Sequence, residues 1–290
     1  MRTGQKTHTT SFAILGLLLL LTAFTNIHLG SIHIPSGDIA SILTGYPSAE
    51  KSWDYIVLNY RIPKAITAIL VGSGLGISGL LMQTLFRNPL AGPFVLGISS
   101  GASLGVAFLL LGASLFGGVF AGLAQQSWSI ALAASLGSFF VLGAVLLVVK
   151  KIRNTLSILI VGLMFGSISA AVINVLSYFS NAEQLQQFVF WSLGSLGNLS
   201  WKELALFSGI VAFSTVLLLR SIKPLDSLLL GENYAQSMGV ALKKTRRILV
   251  ISTGLLTGVI TAFAGPIAFV GLAVPHLTKL VFNTSNHKIL

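Results

Sequence analysis

The sequence offers few residues that could carry out chemistry on their own. It contains no cysteine, which excludes disulfides, thiolate metal sites and cysteine nucleophiles. Neither the G-x-x-x-x-G-K-[ST] pattern of phosphate loops nor the H-E-x-x-H pattern of zinc proteases occurs in it. His276 follows Pro275, and a lone histidine there is more often a structural donor than a ligand. We therefore expect that the chain is not an enzyme and has no metal site or cofactor. Any process that requires energy would have to draw it from outside this chain.

The elements that hold these residues are strongly apolar. Of the 290 residues, 54% are hydrophobic and 9% are charged, and the mean hydropathy is +0.88. A typical soluble domain has about 25% charged residues, so lipid must be the solvent for most of this chain. The net charge of +11 does not indicate a nucleic-acid partner, because the basic residues lie at the ends of apolar runs rather than in a stripe.

Eight apolar runs approach the length of about 20 residues that a membrane span needs. They predict an all-α, polytopic transmembrane bundle that forms a single domain over residues 1–290. The predicted spans are 11–30, 63–84, 93–112, 128–149, 156–177, 203–220, 247–264 and 266–282. A basic flank precedes the first run and no A-x-A cleavage site follows it, which favours an uncleaved anchor.

The distribution of charge predicts the orientation. With the N-terminus in the cytoplasm, all but four of the 18 Lys and Arg residues lie inside, as the positive-inside rule requires. The external four are Lys51, Arg61, Lys64 and Lys202, and the cytoplasmic group includes Arg2, Arg153 and Arg220. No charged residue falls in the middle of a span, which counts against ion-coupled carriers and proton pumps.

Three connecting segments are long enough to fold. The external segment 31–61 follows the first span. In the cytoplasmic segment 221–246, apolar residues recur among charges, and Gly231 and Gly239 predict the ends of two short helices. The segment 181–201 carries Trp191 and Trp201 and predicts an interfacial helix at the outer surface.

Small residues and helix breakers recur in the spans. The four-residue spacings favour close helix packing without a further function; they are Gly72 and Gly76, Gly97, Gly101 and Gly105, and Gly254 and Gly258. Breaks are predicted at Asn88-Pro89, Pro93, Gly265-Pro266 and Pro275. The segments 91–97 and 264–271 are similar, a weak sign of an internal repeat.

Several motifs in their order resemble one family, the FecCD-type permeases of ABC importers for iron–siderophores, haem and vitamin B12. The resemblance covers nearly the whole chain from Arg61 onward. It rests on the segments Arg61-Ile-Pro-Lys64, Ser78-Gly-Leu-Leu-Met-Gln83, Arg87-Asn-Pro-Leu-Ala91, Leu96-Gly-Ile-Ser-Ser-Gly-Ala102, Trp191-Ser-Leu-Gly-Ser195, Gly231-Glu-Asn-Tyr-Ala-Gln-Ser-Met-Gly239 and Ala264-Gly-Pro-Ile-Ala-Phe-Val-Gly-Leu-Ala-Val-Pro-His276.

The resemblance implies a multi-pass protein of the bacterial cytoplasmic membrane with three protein partners. These are a cytoplasmic ATP-binding subunit, an external substrate-binding protein and a second permease chain, the same or homologous. It also implies residue roles. Arg61 and Lys64 dock the binding protein; Leu230, Gly231, Glu232, Ala235, Gly239 and Val240 contact the ATPase; Asn88, Leu90, Thr155 and Ser157 line or gate the path.

The family typically has ten spans, so the resemblance also implies that the chain, with eight, lacks the last two. The expected cargo is a ferric siderophore, with haem or a corrinoid such as vitamin B12 as the alternative. Two other classes remain open at this point. An ATP-independent secondary transporter or channel would stop when the ion gradient collapses, and a membrane scaffold would transport nothing.

Overall fold

The computed structural model describes residues 3–112, 122, 126–151, 155–197, 199–219 and 221–290, so Arg2, Arg153 and Arg220 lie outside the described residues. Within these ranges every regular element is helical, as predicted. The helices are α1 (Thr3–His28), α2 (Ser36–Leu43), α3 (Lys51–Ile56), α4 (Ile62–Phe86), α5 (Ile98–Leu110), α6 (Ser127–Lys151), α7 (Thr155–Phe179), α8 (Ala182–Ser192), α9 (Trp201–Leu219), α10 (Ile222–Leu229), α11 (Glu232–Ser237), α12 (Leu242–Ala264) and α13 (Val270–Phe282). A π-helical turn (Val57–Arg61) joins α3 to α4, and a 3-10 turn (Pro93–Leu96) precedes α5.

Six helices of the described residues are long and apolar enough to cross a membrane. They are α1, the continuous helix of α3, the π-helical turn and α4, then α6, α7, α9 and α12, and they correspond to six of the eight predicted spans. The other two predicted spans, 93–112 and 266–282, are not continuous helices. Their helices, α5 and α13, have 13 residues each, which is about 20 Å of helix against a hydrocarbon core of about 30 Å.

Local backbone geometry explains both interruptions. Helix α4 ends where Arg87 adopts a left-handed conformation with φ 49°, and Gly97 with φ 72° precedes α5. Helix α12 ends at Gly265, with φ 80°, which is followed by a proline that cannot donate to the helix. The similar segments 91–97 and 264–271 thus both interrupt the α-helical backbone before a short helix, the first with a 3-10 turn and the second with an irregular stretch.

The two interruptions meet in the interior. A Cβ atom on Gly271 would lie 2.7 Å from Cδ of Pro93 and 2.9 Å from the carbonyl oxygen of Leu75 in α4. Non-helical backbone at membrane depth is tolerated only where protein or a water-filled cavity surrounds it. Here Pro93 of the first segment, the start of α13 and α4 pack against one another.

Helix α12 is the central element of the bundle. It packs against α4, α5, α6 and α9, and 72% of its apolar stretch is buried. Helices α1 and α7 lie at the periphery, with 0% and 17% of their apolar stretches buried. A displacement of α12 would therefore shift it relative to most of the helices of the bundle.

One of the three glycine spacings, Gly97, Gly101 and Gly105, places backbones in close contact as predicted, whereas Gly76, Gly254 and Gly258 meet side chains. A Cβ atom on Gly101 would lie 2.6 Å from the carbonyl oxygen of Gly137, and one on Gly105 would lie 2.1 Å from that of Ala133, so α5 and α6 need glycine at this crossing. Gly72 is different, because no atom lies within 4 Å of its Cβ position.

Candidate functional site

The outer end of the bundle is organised by Arg61. Its side chain is buried, with Nη1 donating to the carbonyl oxygens of Ile27 and His28 at 2.8 Å each and Nη2 to that of Ile32. Two of these carbonyls belong to the C-terminal end of α1, where the last carbonyls have no partner within the helix. Arg61 therefore closes the end of α1 against the start of α4.

This placement disagrees with the docking role predicted for Arg61. An arginine that is only 6% exposed and whose guanidinium donates to three carbonyls has little left to offer to a partner protein. Lys64, in the first turn of α4, is exposed. Of the two predicted docking residues, Lys64 is the one that faces out in this conformation.

Next to Arg61, an aromatic cleft opens at the outer face. The indole N–H of Trp201 donates to the carbonyl oxygen of Leu58 in the π-helical turn at 3.0 Å, and the rings of Tyr55 and Tyr60 meet edge to face at 5.9 Å. Lys202 also lines this cleft. The predicted interfacial position of Trp201 thus also fixes the π-helical turn that leads to Arg61.

The cytoplasmic segment 221–246 folds as predicted. Gly231, with φ 113°, separates α10 from α11, and Gly239, with φ 83°, follows α11. Ala235 is completely buried, so it holds α11 in place rather than offering a contact to an ATPase as predicted. We call α10 and α11 together the coupling unit.

An ion pair fastens the coupling unit to the central helix. Oε2 of Glu232, at the start of α11, lies 2.5 Å from Nη2 of Arg246 in α12. The glutamate side chain is 33% exposed and the arginine side chain 7% exposed, so the attraction is less screened than at a free surface. Glu232 therefore links the coupling unit to α12 and is not a free surface charge.

Three large apolar residues within or directly after the two helices of the coupling unit are more than half exposed. Leu230, Tyr234 and Met238 are 64%, 54% and 58% exposed. We call them the apolar ridge. The sequence prediction included Leu230 but missed Tyr234 and Met238, although their four-residue spacing is the signal of one helix face. Of the other predicted contacts, Gly239 is exposed and Val240 is half-buried.

A cytoplasmic cleft is lined by Phe86, Arg87, Leu156 and Leu230, among others; none of the predicted gate residues is among the described residues that line it, although Asn88, Thr155 and Ser157 are chain neighbours of residues that do. Asn88 and Leu90 are exposed in the turn after Arg87, where Asn88 Oδ1 accepts the backbone N–H of Leu90 at 2.9 Å. Ser157 is half-buried beside Leu156, and the backbone of Thr155 begins α7, although its side chain lies outside the description. The turn after α4, the start of α7 and the coupling unit thus meet at this cleft.

A multi-pass helical bundle with interrupted helices in its interior and a folded cytoplasmic attachment has the architecture of a membrane transport permease. The model of the FecCD transport family matches residues 18–290. The chain belongs to this family.

Relatives and a solved structure agree with this assignment. The vitamin B12 import system permease protein BtuC of Klebsiella pneumoniae is 34% identical over 277 residues, which are 95% of this chain and 78% of the relative. BtuC of Salmonella arizonae is 32% identical over the same shares. An inward-facing structure of a metal-chelate type ABC transporter superposes with a TM-score of 0.82 at 26% identity and covers 97% of this chain and 84% of its own. The protein is therefore an ABC importer permease, a multi-pass protein of the inner membrane.

Proposed function

We propose that this chain moves a large metal chelate across the cytoplasmic membrane with energy from a separate ATPase subunit. An external binding protein delivers the chelate, and a second permease chain, identical or homologous, completes the path. The apolar ridge carries this proposal. Three large apolar side chains exposed to the cytoplasm are costly in water and are typical of a surface that a partner covers.

The attachment of the coupling unit supports the same proposal. An ATPase that seats on the apolar ridge pulls on α11, and the pair between Glu232 and Arg246 passes this force to α12. Because α12 packs against four other helices, its displacement changes the bundle around the path. The cytoplasmic cleft is the exit that such a movement opens or closes.

For the cargo we propose a ferric siderophore, with vitamin B12 as the second candidate. The structural neighbour is described as a metal-chelate type transporter, which fits a ferric siderophore. The relatives at 32–34% identity are vitamin B12 permeases, which favours a corrinoid. Both are bulky chelates, so the same path serves either.

Uptake into proteoliposomes tests the cargo. The chain is reconstituted with its ATPase and its binding protein, and radiolabelled ferric siderophores are compared with radiolabelled cyanocobalamin. We expect ATP-driven accumulation of a siderophore that excess cyanocobalamin does not reduce. Accumulation of cyanocobalamin alone would make the second candidate correct, and accumulation of neither would contradict the proposed cargo class.

A further inference from the structure

The coupling unit has a second attachment to the bundle, through His287. Oδ1 of Asp226 in α10 lies 2.6 Å from Nδ1 of His287 and also accepts the backbone N–H of His287 at 3.1 Å. The imidazole is buried, with 3% of its side chain exposed. The carboxylate thus holds both the ring and the backbone of one residue in the segment after α13.

The other ring nitrogen reaches the membrane bundle. Nε2 of His287 lies 2.9 Å from Oγ1 of Thr84 in the last turn of α4, and Thr84 is 2% exposed. Three residues from three separate parts of the chain are therefore joined in series. We call this series the Asp226–His287–Thr84 link.

The link is satisfied in either protonation state of the histidine. Oγ1 of Thr84 is also 2.9 Å from the carbonyl oxygen of Leu80. If the hydroxyl donates to Leu80, it accepts Nε2–H of an imidazolium; if the ring is neutral, the hydroxyl rotates and donates to Nε2. In both cases Nδ1–H donates to Asp226. Rotation of one hydroxyl preserves the link when a proton is gained or lost.

The neighbouring residue extends the connection to α13. The amide Nε2 of Gln83 donates to the carbonyl oxygen of Leu272 at 3.1 Å, and its Oε1 accepts from Nζ of Lys279 at 3.2 Å. Gln83 and Thr84 thus tie the inner end of α4 to α13 and to the segment after it. A displacement of α10 that reaches Thr84 acts on both helices.

We propose that His287 is a positioning residue that transmits movement of the coupling unit to α4 through the Asp226–His287–Thr84 link. The pair between Glu232 and Arg246 leads from α11 to α12, and the new link leads from α10 to α4. The ATPase thereby acts on the bundle at two points. Because the coupling unit is attached at both, it cannot simply pivot about one of them, and its movement displaces α4 and α12. This inference rests on the proposed function.

The decisive variants are Thr84→Val and Thr84→Ser. Valine keeps the volume but removes the hydroxyl that meets Nε2, whereas serine keeps the hydroxyl. Each is assembled with the ATPase and the binding protein in proteoliposomes, and cargo uptake and ATP hydrolysis are measured in the same sample. We expect Thr84→Val to hydrolyse ATP at nearly the wild-type rate but to transport about fivefold less cargo per ATP, or less still. Thr84→Ser keeps the wild-type ratio.

Variants at the other end of the link supply an independent check. Asp226→Asn retains an oxygen that accepts Nδ1–H, whereas Asp226→Ala does not. We expect the ratio of cargo to ATP to fall in Asp226→Ala and to be largely retained in Asp226→Asn. A purely structural role would instead lower hydrolysis and uptake together, or lower the yield of the assembled complex.

Distance measurements separate a failed link from a failed function. The chain has no cysteine, so spin labels can be placed at the exposed Ser237 of α11 and Ser73 of α4 alone. On ATP binding, the label distance should change more in Thr84→Val than in the wild type, because α10 no longer carries α4 with it. Equal distances and equal cargo per ATP in the two proteins would overturn the link. A wild-type complex without ATP-driven uptake would overturn the proposed function and the link together.

Discussion

Gly79 in α4 and Gly271 in α13 are in backbone contact: a Cβ atom on Gly79 would lie 1.5 Å from the carbonyl oxygen of Gly271. No rotamer change removes this conflict, because the obstructing atom belongs to the backbone. The two helices can approach each other only because both positions lack a side chain. This contact holds the short helix α13 against α4, one helical turn from Gln83.

Replacing Gly79 by alanine should therefore separate α4 from α13. Overpacking of this kind costs about 1–3 kcal/mol or more, so we expect a clear fall in the melting temperature of the purified protein. Gly72→Ala is the matched control, since it adds the same methyl group to the same helix where no atom lies within 4 Å. Equal melting temperatures for the two variants would show that α4 and α13 are not in this contact.

The burial of Arg61 predicts a structural phenotype. Arg61→Gln leaves carbonyl oxygens of Ile27, His28 and Ile32 without donors, and each unsatisfied buried group costs about 1–3 kcal/mol. We expect a melting temperature lower by about 3 °C or more. Lys64→Gln, on the exposed surface, should leave the melting temperature unchanged and weaken capture of the binding protein.

The reverse result would restore the docking role of Arg61. If Arg61→Gln melted like the wild type in detergent but no longer bound the binding protein in nanodiscs, the guanidinium would have to turn outward in the membrane.

The apolar ridge predicts the effect of truncating Tyr234 and Met238. The double change to alanine should weaken binding of the ATPase subunit by about tenfold or more, because apolar residues at the centre of an interface carry much of its affinity. Gln236→Ala serves as the control, since Gln236 is exposed between them and points to another side of α11. The measurement is a titration of nanodisc-embedded permease with the ATPase. Identical affinities for the double variant and the control would mean that the ATPase binds elsewhere.

The coupling unit shows how far sequence could lead. Its two helices and their ends were predicted, because glycines with positive φ and apolar residues among charges are local signals. The link through His287 was not predicted, because its partners lie 61 and 203 residues away and meet only after folding. The role of Arg61 depends similarly on carbonyls 29 to 34 residues away. Charge and spacing in the sequence mark such residues as unusual, but their partners can be identified only from the folded structure.

The two interrupted helices illustrate a different limit. Apolar length predicted the spans 93–112 and 266–282, and the breakers Pro93 and Gly265-Pro266 were visible. Hydropathy reports how much chain the membrane can hold and does not report whether the backbone is helical. Contacts made after folding, such as that of Pro93 with Gly271 at the start of α13 and that of Gly194 with Gly265, show how these interruptions are covered by protein.

The buried histidine predicts a dependence of stability on pH. Burial lowers the pKa of His287 below its ordinary value of 6.5; Asp226 opposes this shift, and Lys279 adds to it. The unfolded chain therefore takes up the proton at a higher pH than the folded chain, so this residue's contribution is present above pH 6.5 and is lost as the pH falls below it.

We accordingly expect the melting temperature of the wild type to fall more between about pH 7.5 and about pH 5.5 than that of His287→Gln. The remaining histidines are common to both proteins and cancel in the comparison. Parallel curves would indicate that the pKa of His287 is not lowered by folding.

ATP dependence of uptake tests the central claim most directly. Proteoliposomes containing the permease, its ATPase and the binding protein are loaded with labelled chelate in the presence of an ionophore that abolishes ion gradients. A second preparation carries an ATPase that binds ATP but cannot hydrolyse it. We predict accumulation in the first preparation and none in the second. Uptake that does not depend on ATP hydrolysis and that stops when the ionophore is added would contradict an ATP-driven permease and identify a gradient-driven carrier instead.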